Sequence, residues 1–182
     1  MYGMVHQGLR EMVRERHGAA VWDEIEQAAG TGPAHMVSAT VYPDDVTGRL
    51  VAATAERIGG TPADVLEEFG RYWVRFTERG PYGPIMRFTG RTLAEFVENL
   101  DRMHQSIQTS MPEARMPSFR VVERGAGLLV VDYHSTREGL GPLALGLFRG
   151  LLGWFGLNGT VTASDGPAGG IRLHVVHDGA EG

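Results

Sequence analysis

The chain has 182 residues, 42% of them hydrophobic, which is enough for one sizeable core and within the range of a single domain. A formal net charge of −5, from 22 acidic and 17 basic residues with no long run of either sign, argues against a nucleic-acid partner. The absence of cysteine excludes disulfides, a thiolate nucleophile, cysteine-ligated zinc and a thiolate ligand to any other metal.

Met1 to Gly8 shows no basic stretch followed by an apolar one, so no secretory signal is expected. The greasiest stretch, residues 140–157, is interrupted by Pro142, Arg149 and five glycines and falls short of a membrane span. A cytoplasmic location and no membrane partner are the expectations.

In chain order, Val5, Leu9, Met12 and Val13 recur at helical spacing and predict a helix over 3–16, stopped by Gly18. A short helix over 20–29 ends at Gly30, and another over 44–58 ends at Gly59-Gly60. Thr61 is placed to cap a helix that opens on Pro62 and buries Val65, Leu66, Phe69, Trp73 and Phe76, before the turn 80–84. The next helix, 92–110, carries Leu93, Phe96, Val97, Leu100, Met103, His104 and Ile107 and gives way at Pro112 and Pro117. The period then changes to two. Strands at 119–123 and 128–135 flank Arg124-Gly125-Ala126-Gly127 as a hairpin, a helix follows over 142–155, and strands at 160–164 and 171–177 complete an antiparallel sheet of four. Helices first and strands later predict an α+β fold.

His104 follows Leu100 by four residues and precedes Ile107 by three, so its imidazole shares their apolar face. Such a residue fits two roles: a core histidine bonded to a carbonyl, or a neutral ligand for an iron porphyrin in a greasy cleft. In an extended chain Tyr133, Ser135 and Arg137 face one way, about 6.6 Å apart from pair to pair. Two hydroxyls and a guanidinium suit a ligand with two carboxylates, and haem carries two propionates. An ordinary solvated strand end has the same composition.

The opening Met1-Tyr2-Gly3, the helical first half, His104, Pro117, the spacing to Tyr133-x-Ser135-x-Arg137 and the apolar helix after it together resemble the H-NOX family. These are haem–nitric oxide/oxygen binding domains related to the sensor domain of soluble guanylate cyclase. The resemblance covers nearly the whole chain. It implies a single H-NOX domain over 1–182, with a helical lobe at 1–60 and, at 61–182, a lobe carrying the proximal helix and the four-stranded antiparallel sheet. It also implies haem b (iron protoporphyrin IX), with His104 as proximal iron ligand and Tyr133, Ser135 and Arg137 as the propionate clamp. Pro117 would press on the porphyrin, Val5 and Leu9 would line the distal side, and Trp73 completes the cofactor-binding set.

In members that hold oxygen stably, a distal tyrosine lies a few residues beyond the arginine. The matching position is Pro142, and its neighbours Leu140, Gly141, Leu143 and Ala144 offer no side-chain donor either. The resemblance therefore implies binding of NO, and also of CO, with weak binding of O2. Tyr72, Trp73 and Tyr82 are the residues whose polar tips would reach a distal pocket in a different helix register. NO opposite His104 is expected to release that residue, free its helix and shift the lobes, without a catalytic step. Because the sequence closes soon after its last strand, at Asp178-Gly179-Ala180-Glu181-Gly182, the signal is expected to pass to a separate protein, such as a histidine kinase or a cyclic-di-nucleotide enzyme.

Two other classes compete. For an enzyme, His6, His17, His35, His134, His174 and His177 supply possible bases, but none stands at a spacing with a mechanism attached, and most read as surface residues. A haem-free module for a small apolar ligand is the alternative of similar fold, as in the related vinyl-reductase-like domains. That family lacks both the proximal histidine and the Tyr-x-Ser-x-Arg row.

Overall fold

Glycines and prolines set the boundaries of the first four helices. In the computed structural model, which describes residues 1–179, α1 (Gly3–His17) stops at Gly18, and α2 (Ala19–Ala29) ends on Gly30 in the left-handed conformation at φ 62°. In α3 (Asp44–Ile58), Asp44 and Asp45 stand in the first turn, where the helix dipole favours negative charge. α4 (Pro62–Arg79) opens with a reciprocal cap: the Thr61 hydroxyl accepts from the Asp64 amide while the Asp64 carboxylate accepts from the Thr61 amide.

The path beyond α4 departs from the expected turn and single long helix. Gly83-Pro84 opens a short helix, α5 (Gly83–Thr89), because proline is well placed in a first turn. The stretch expected as one helix is two, α6 (Leu93–Glu98) and α7 (Leu100–Gln108), broken at Asn99. Thr92 caps the first of these by accepting from the Glu95 amide.

The sheet contains β1 (Ser118–Gly125), β2 (Leu128–His134), β3 (Gly159–Asp165) and β4 (Ile171–His177), antiparallel throughout in the order β1-β2-β4-β3. The β1–β2 turn is Ala126-Gly127, with Gly127 at φ 73°, and a bulge at Val122 turns that side chain out to solvent. α8 (Gly141–Trp154) lies between β2 and β3 in the chain and packs Phe148, Leu151 and Leu152 with Leu129, Val131, Leu173 and Val175 of the sheet.

There are two main cores. Leu9, Met12, Trp22, Ile25, Leu50 and Phe69 fill the helical one, and the sheet, α6 and α8 enclose the other. α4 serves both, with Phe69 and Tyr72 in the first and Val74 in the second, so the helical core extends past residue 60 into this helix. α4 meets α8 at very close range: a Cβ on Gly146 would stand 1.9 Å from the Glu67 carbonyl oxygen, and one on Gly70 2.3 Å from that of Leu143. Arg149 of α8 pairs with Glu67 across this seam.

His6 departs furthest from the surface reading. His6 is 0% exposed, with Nδ1 2.8 Å from the His35 carbonyl oxygen and Nε2 2.8 Å from the Thr47 hydroxyl. Two hydrogen bonds offset the cost of taking both ring nitrogens out of water. Among the described residues no helix is long and apolar enough to cross a membrane.

Candidate functional site

A mostly apolar cavity of about 230 Å³ lies where the two cores meet. Met4 and Val5 of α1, Trp73, Val74 and Thr77 of α4, and Leu143 and Leu147 of α8 form one wall. Met103 and His104 of α7, Pro117, Phe119, Tyr133, Ser135 and Arg137 also line the cavity. Of the residues expected at a cofactor, His104, Tyr133, Ser135, Arg137, Pro117, Val5 and Trp73 are thus brought together. Leu9 is not: it is 2% exposed inside the helical core and lies outside the wall.

His104 is held by a carbonyl. Its Nδ1 lies 3.2 Å from the Pro117 oxygen, and since a carbonyl only accepts, Nδ1 carries the proton and Nε2 keeps its lone pair. Burial pushes the imidazole pKa down, against opposing pulls from the Pro117 carbonyl and Asp101, which favours the neutral ring. The ring also stands 6.0 Å from that of Phe119, centroid to centroid. One turn earlier, the Asp101 carboxylate accepts from the Phe119 amide at 3.0 Å. Two polar ties therefore fasten α7 to the segment that enters β1.

The polar corner differs from the expected strand face. β2 ends at His134, so Ser135 and Arg137 sit in the turn that follows, yet both still reach the cavity beside Tyr133. Ser135 Oγ accepts from the Arg137 amide at 3.1 Å. Arg137 Nε lies 3.1 and 3.0 Å from the two oxygens of Asp44, and Nη1 donates to the Arg115 carbonyl at 2.9 Å. Among the described residues Nη2 has no acceptor, which leaves it free for an incoming carboxylate. Burial works against ionisation of Asp44, but hydrogen bonds from the Met1 amino group and Arg137 outweigh it and hold the carboxyl below its usual range. Tyr133 is 6% exposed, and burial pushes its phenol up against the pull of the Ser135 hydroxyl.

Asp44 has no signal in the sequence, because it reaches Arg137 from 93 residues away. On the helical wall, Pro142 stays outside the cavity while Leu140, Leu143 and Leu147 line it. Tyr72 also stays outside, with its ring 4.9 Å beneath the Arg75 guanidinium. Trp73 does line the cavity, packed against Phe69 and Phe76, and Tyr82 lines it with its hydroxyl 3.4 Å from Met111 Sδ.

The residues fit a haem. A histidine that ligates a metal through one nitrogen ordinarily donates from the other to a carbonyl or carboxylate, as His104 does to Pro117. The mostly apolar walls suit a porphyrin face, and the Tyr133, Ser135 and Arg137 corner suits its acidic edge. The sequence profile of the haem-NO-binding family matches residues 2–163. The chain belongs to this family, the H-NOX domains. It is accordingly a haem-based gas-sensor domain of the guanylate cyclase type, not a catalytic one.

Two Caenorhabditis elegans proteins are similar in sequence. Soluble guanylate cyclase gcy-35 is 30% identical over 155 residues, covering 82% of this chain and 22% of that protein. For gcy-33 the identity is 31% over 140 residues, covering 76% and 15%. The H-NOX chain thus spans about a fifth of the length of these relatives. In fold it is similar to a substituted form of the H-NOX protein from S. oneidensis in the Fe(II) state, with TM-score 0.88 and 20% identity over 100% of this chain and 98% of the other. The Fe(II) unliganded H-NOX protein from K. algicida gives TM-score 0.78 and 17% identity over 98% and 97%.

Proposed function

We propose that this H-NOX domain holds a non-covalent b-type haem through His104 Nε2, binds nitric oxide on the opposite face, and signals by letting go of His104. The single observation that carries the reading is the His104 ring, with its proton committed to the Pro117 carbonyl and its lone pair left on the cavity side. A chain without cysteine has no thioether link to offer, which supports haem b over a covalently attached form. Tyr133, Ser135 and Arg137 would hold the propionates, and Pro117 would bear on the porphyrin. The bound haem supplies an iron atom that takes a diatomic gas.

Gas preference follows from the helical wall. Leu140, Leu143 and Leu147 of the α8 region present hydrocarbon only, the Thr77 hydroxyl is committed to the Trp73 and Val74 carbonyls, and the Tyr82 hydroxyl is turned to Met111 Sδ. A polarised O2 gains little from such a surface, whereas NO and CO need no donor, so weak oxygen binding is expected. Loss of the iron bond would leave α7 fastened by Asp101 and the Nδ1 contact. A nine-residue helix with Leu100 as its one fully buried side chain is marginal by itself, so those two ties would be its main restraint. The N-terminal helices would then shift against the sheet, giving two states that another protein can distinguish.

The cyclases are covered over about a fifth of their length, which supports a sensor unit whose state is read by other parts of a signalling system. A separate histidine kinase or cyclic-di-nucleotide enzyme is the receiver we propose, with the cytoplasm as the location. The test is a visible spectrum of the purified ferrous protein. A strong Soret band that changes on adding NO is expected. A colourless protein that refuses added haemin would instead support a haem-free module for a small apolar ligand.

A further inference from the structure

The strand order β1-β2-β4-β3 leaves β1 and β3 as the sheet's edges, and the chain guards them unequally. α6 and α7 pack along β1, and the Asp101 carboxylate takes the Phe119 N–H. A bulge also interrupts β1 near Val122, and Arg120, Glu123 and Arg124 put charge on it. Cover, bulges and charge are the usual means of keeping an edge from pairing with another strand. β3 lacks them. Its sequence, Gly-Thr-Val-Thr-Ala-Ser-Asp, has no lysine, arginine or proline and carries its one charge at the end. It runs beside β4 in unbroken register, and every residue but Val161 is exposed.

The ladder fixes which backbone groups β3 offers. Just beyond its two ends, the Gly166 N–H donates to the Gly170 carbonyl at 2.9 Å and the Asp178 N–H to the Asn158 carbonyl at 3.0 Å. Antiparallel pairs alternate between bonded and non-bonded, so Thr160, Thr162 and Ser164 exchange hydrogen bonds with β4. The N–H and C=O groups of Gly159, Val161, Ala163 and Asp165 therefore point the other way, along the open edge. Among the described residues one side chain bonds this row: Arg149 Nη2 donates to the Val161 carbonyl at 3.3 Å. That oxygen has a second lone pair to offer. Arg149 is itself paired with Glu67, so it adds no unmatched charge to the edge.

We propose that β3 is a dimerisation strand that pairs antiparallel with β3 of a second copy of this chain, with Thr162 on the two-fold axis. In this register Val161 meets Ala163 of the second copy and Gly159 meets Asp165, so every outward N–H and C=O of the strand finds its complement. A slip of two residues in either direction leaves one end of the row unpaired. On the outer face Thr162 meets its own copy and Thr160 meets Ser164, hydroxyl pairs of a kind that favours adjacent strands. No like charges face each other, because Asp165 falls opposite a glycine. The same strand thus supplies both halves of the match under rotation, which is the mark of a contact between identical copies and selects a second copy over a foreign strand. The pairing is independent of what the cavity beside His104 holds.

The test is sedimentation equilibrium of the full chain. An edge contact lies at the small end of interfaces, so a monomer–dimer Kd on the order of 10–100 µM is expected, within a concentration range of about 1–500 µM. Ala163→Pro deletes an N–H that β4 does not use, at a position where an edge strand accepts proline, and should raise Kd roughly tenfold or more with the far-UV circular dichroism unchanged. Thr162→Lys and Thr162→Glu each set like charges against each other across the axis and should stay monomeric alone, while an equimolar mixture of the two should associate at least as tightly as wild type. The mixture decides the matter even where Ala163→Pro fails to fold. Phe88→Ser, which removes the 91% exposed aromatic of α5, should leave association as in wild type. A wild type that is monomeric throughout, a mixture no tighter than its parents, or a dimer lost in Phe88→Ser and kept in a folded Ala163→Pro would overturn the pairing.

Discussion

On the sheet side of the cavity, His104, Ser135 and Arg137 each hold a proton or lone pair in a hydrogen-bonded place. On the helical side, Met4, Val5, Val74, Leu143 and Leu147 offer hydrocarbon and a thioether, and the Thr77 and Tyr82 hydroxyls are turned to partners of their own. The first wall decides what is held and in which orientation, since directional bonds fail when one partner is removed. The second decides which gas is favoured, because apolar contacts change gradually with shape and volume. Substitutions on the two walls should therefore separate by readout: haem retention on one, gas selectivity on the other.

The largest expected effect is His104→Gly, which should weaken haem binding roughly a hundredfold or more, since even a partner supporting a metal ligand is worth about ten- to a hundredfold. Haem transfer to an apo-globin acceptor measures it, and free imidazole should restore part of the loss. Arg137→Ala comes next, at roughly ten- to a hundredfold, the worth of a charge-assisted hydrogen bond of about 1.5–3 kcal/mol. Arg137→Lys should recover only part, because an ammonium lacks the planar fork that serves Asp44 and a second carboxylate together. Retention at wild-type level in Arg137→Ala would break the division between the walls.

On the helical wall, Leu143→Tyr introduces a donor where hydrocarbon now stands. Oxygen affinity should rise about fivefold, from a hydrogen bond of ~1 kcal/mol, with haem retention unchanged. An oxygen titration of the reduced variant checks this, and loss of haem instead would show that the wall is less tolerant than its chemistry implies.

The smallest effect lies away from both walls. Asp132 is buried on β2, where the Arg172 guanidinium and, with it, Arg120 hold its carboxyl below the usual range. A depressed folded-state value adds stability above the ordinary carboxylate pKa and loses it as pH falls through the folded one. Thermal melts of Asp132→Asn should thus lie below wild type at neutral pH and converge with it in acid, while gas affinity stays the same.

Much of this division was legible in the sequence. Periodicity put His104 on an apolar face, Thr61-Pro62 marked the start of α4, and β4 forms over the expected 171–177. Other features had no local signature. α5 is seven residues long, too short to show a period, and opens on a Gly-Pro pair that reads as a turn. The break at Asn99 carries no glycine or proline, so the apolar repeat runs through it unmarked. The bulge at Val122 lengthens β1 without altering its composition. Leu9 kept its period but, one turn beyond Val5, meets the helical core rather than the cavity. The Asp44–Arg137 pair depends on the finished fold, which brings the start of α3 to the end of β2.

The central claim is that His104 Nε2 bonds the haem iron and yields it when nitric oxide arrives. Resonance Raman spectroscopy of the ferrous protein reads that bond directly through the iron–imidazole stretch. The band should be present in the wild type, absent in His104→Gly, and lost from the wild type on saturation with NO. A band that survives in His104→Gly, or an NO complex in which the histidine stays bound, would contradict the account.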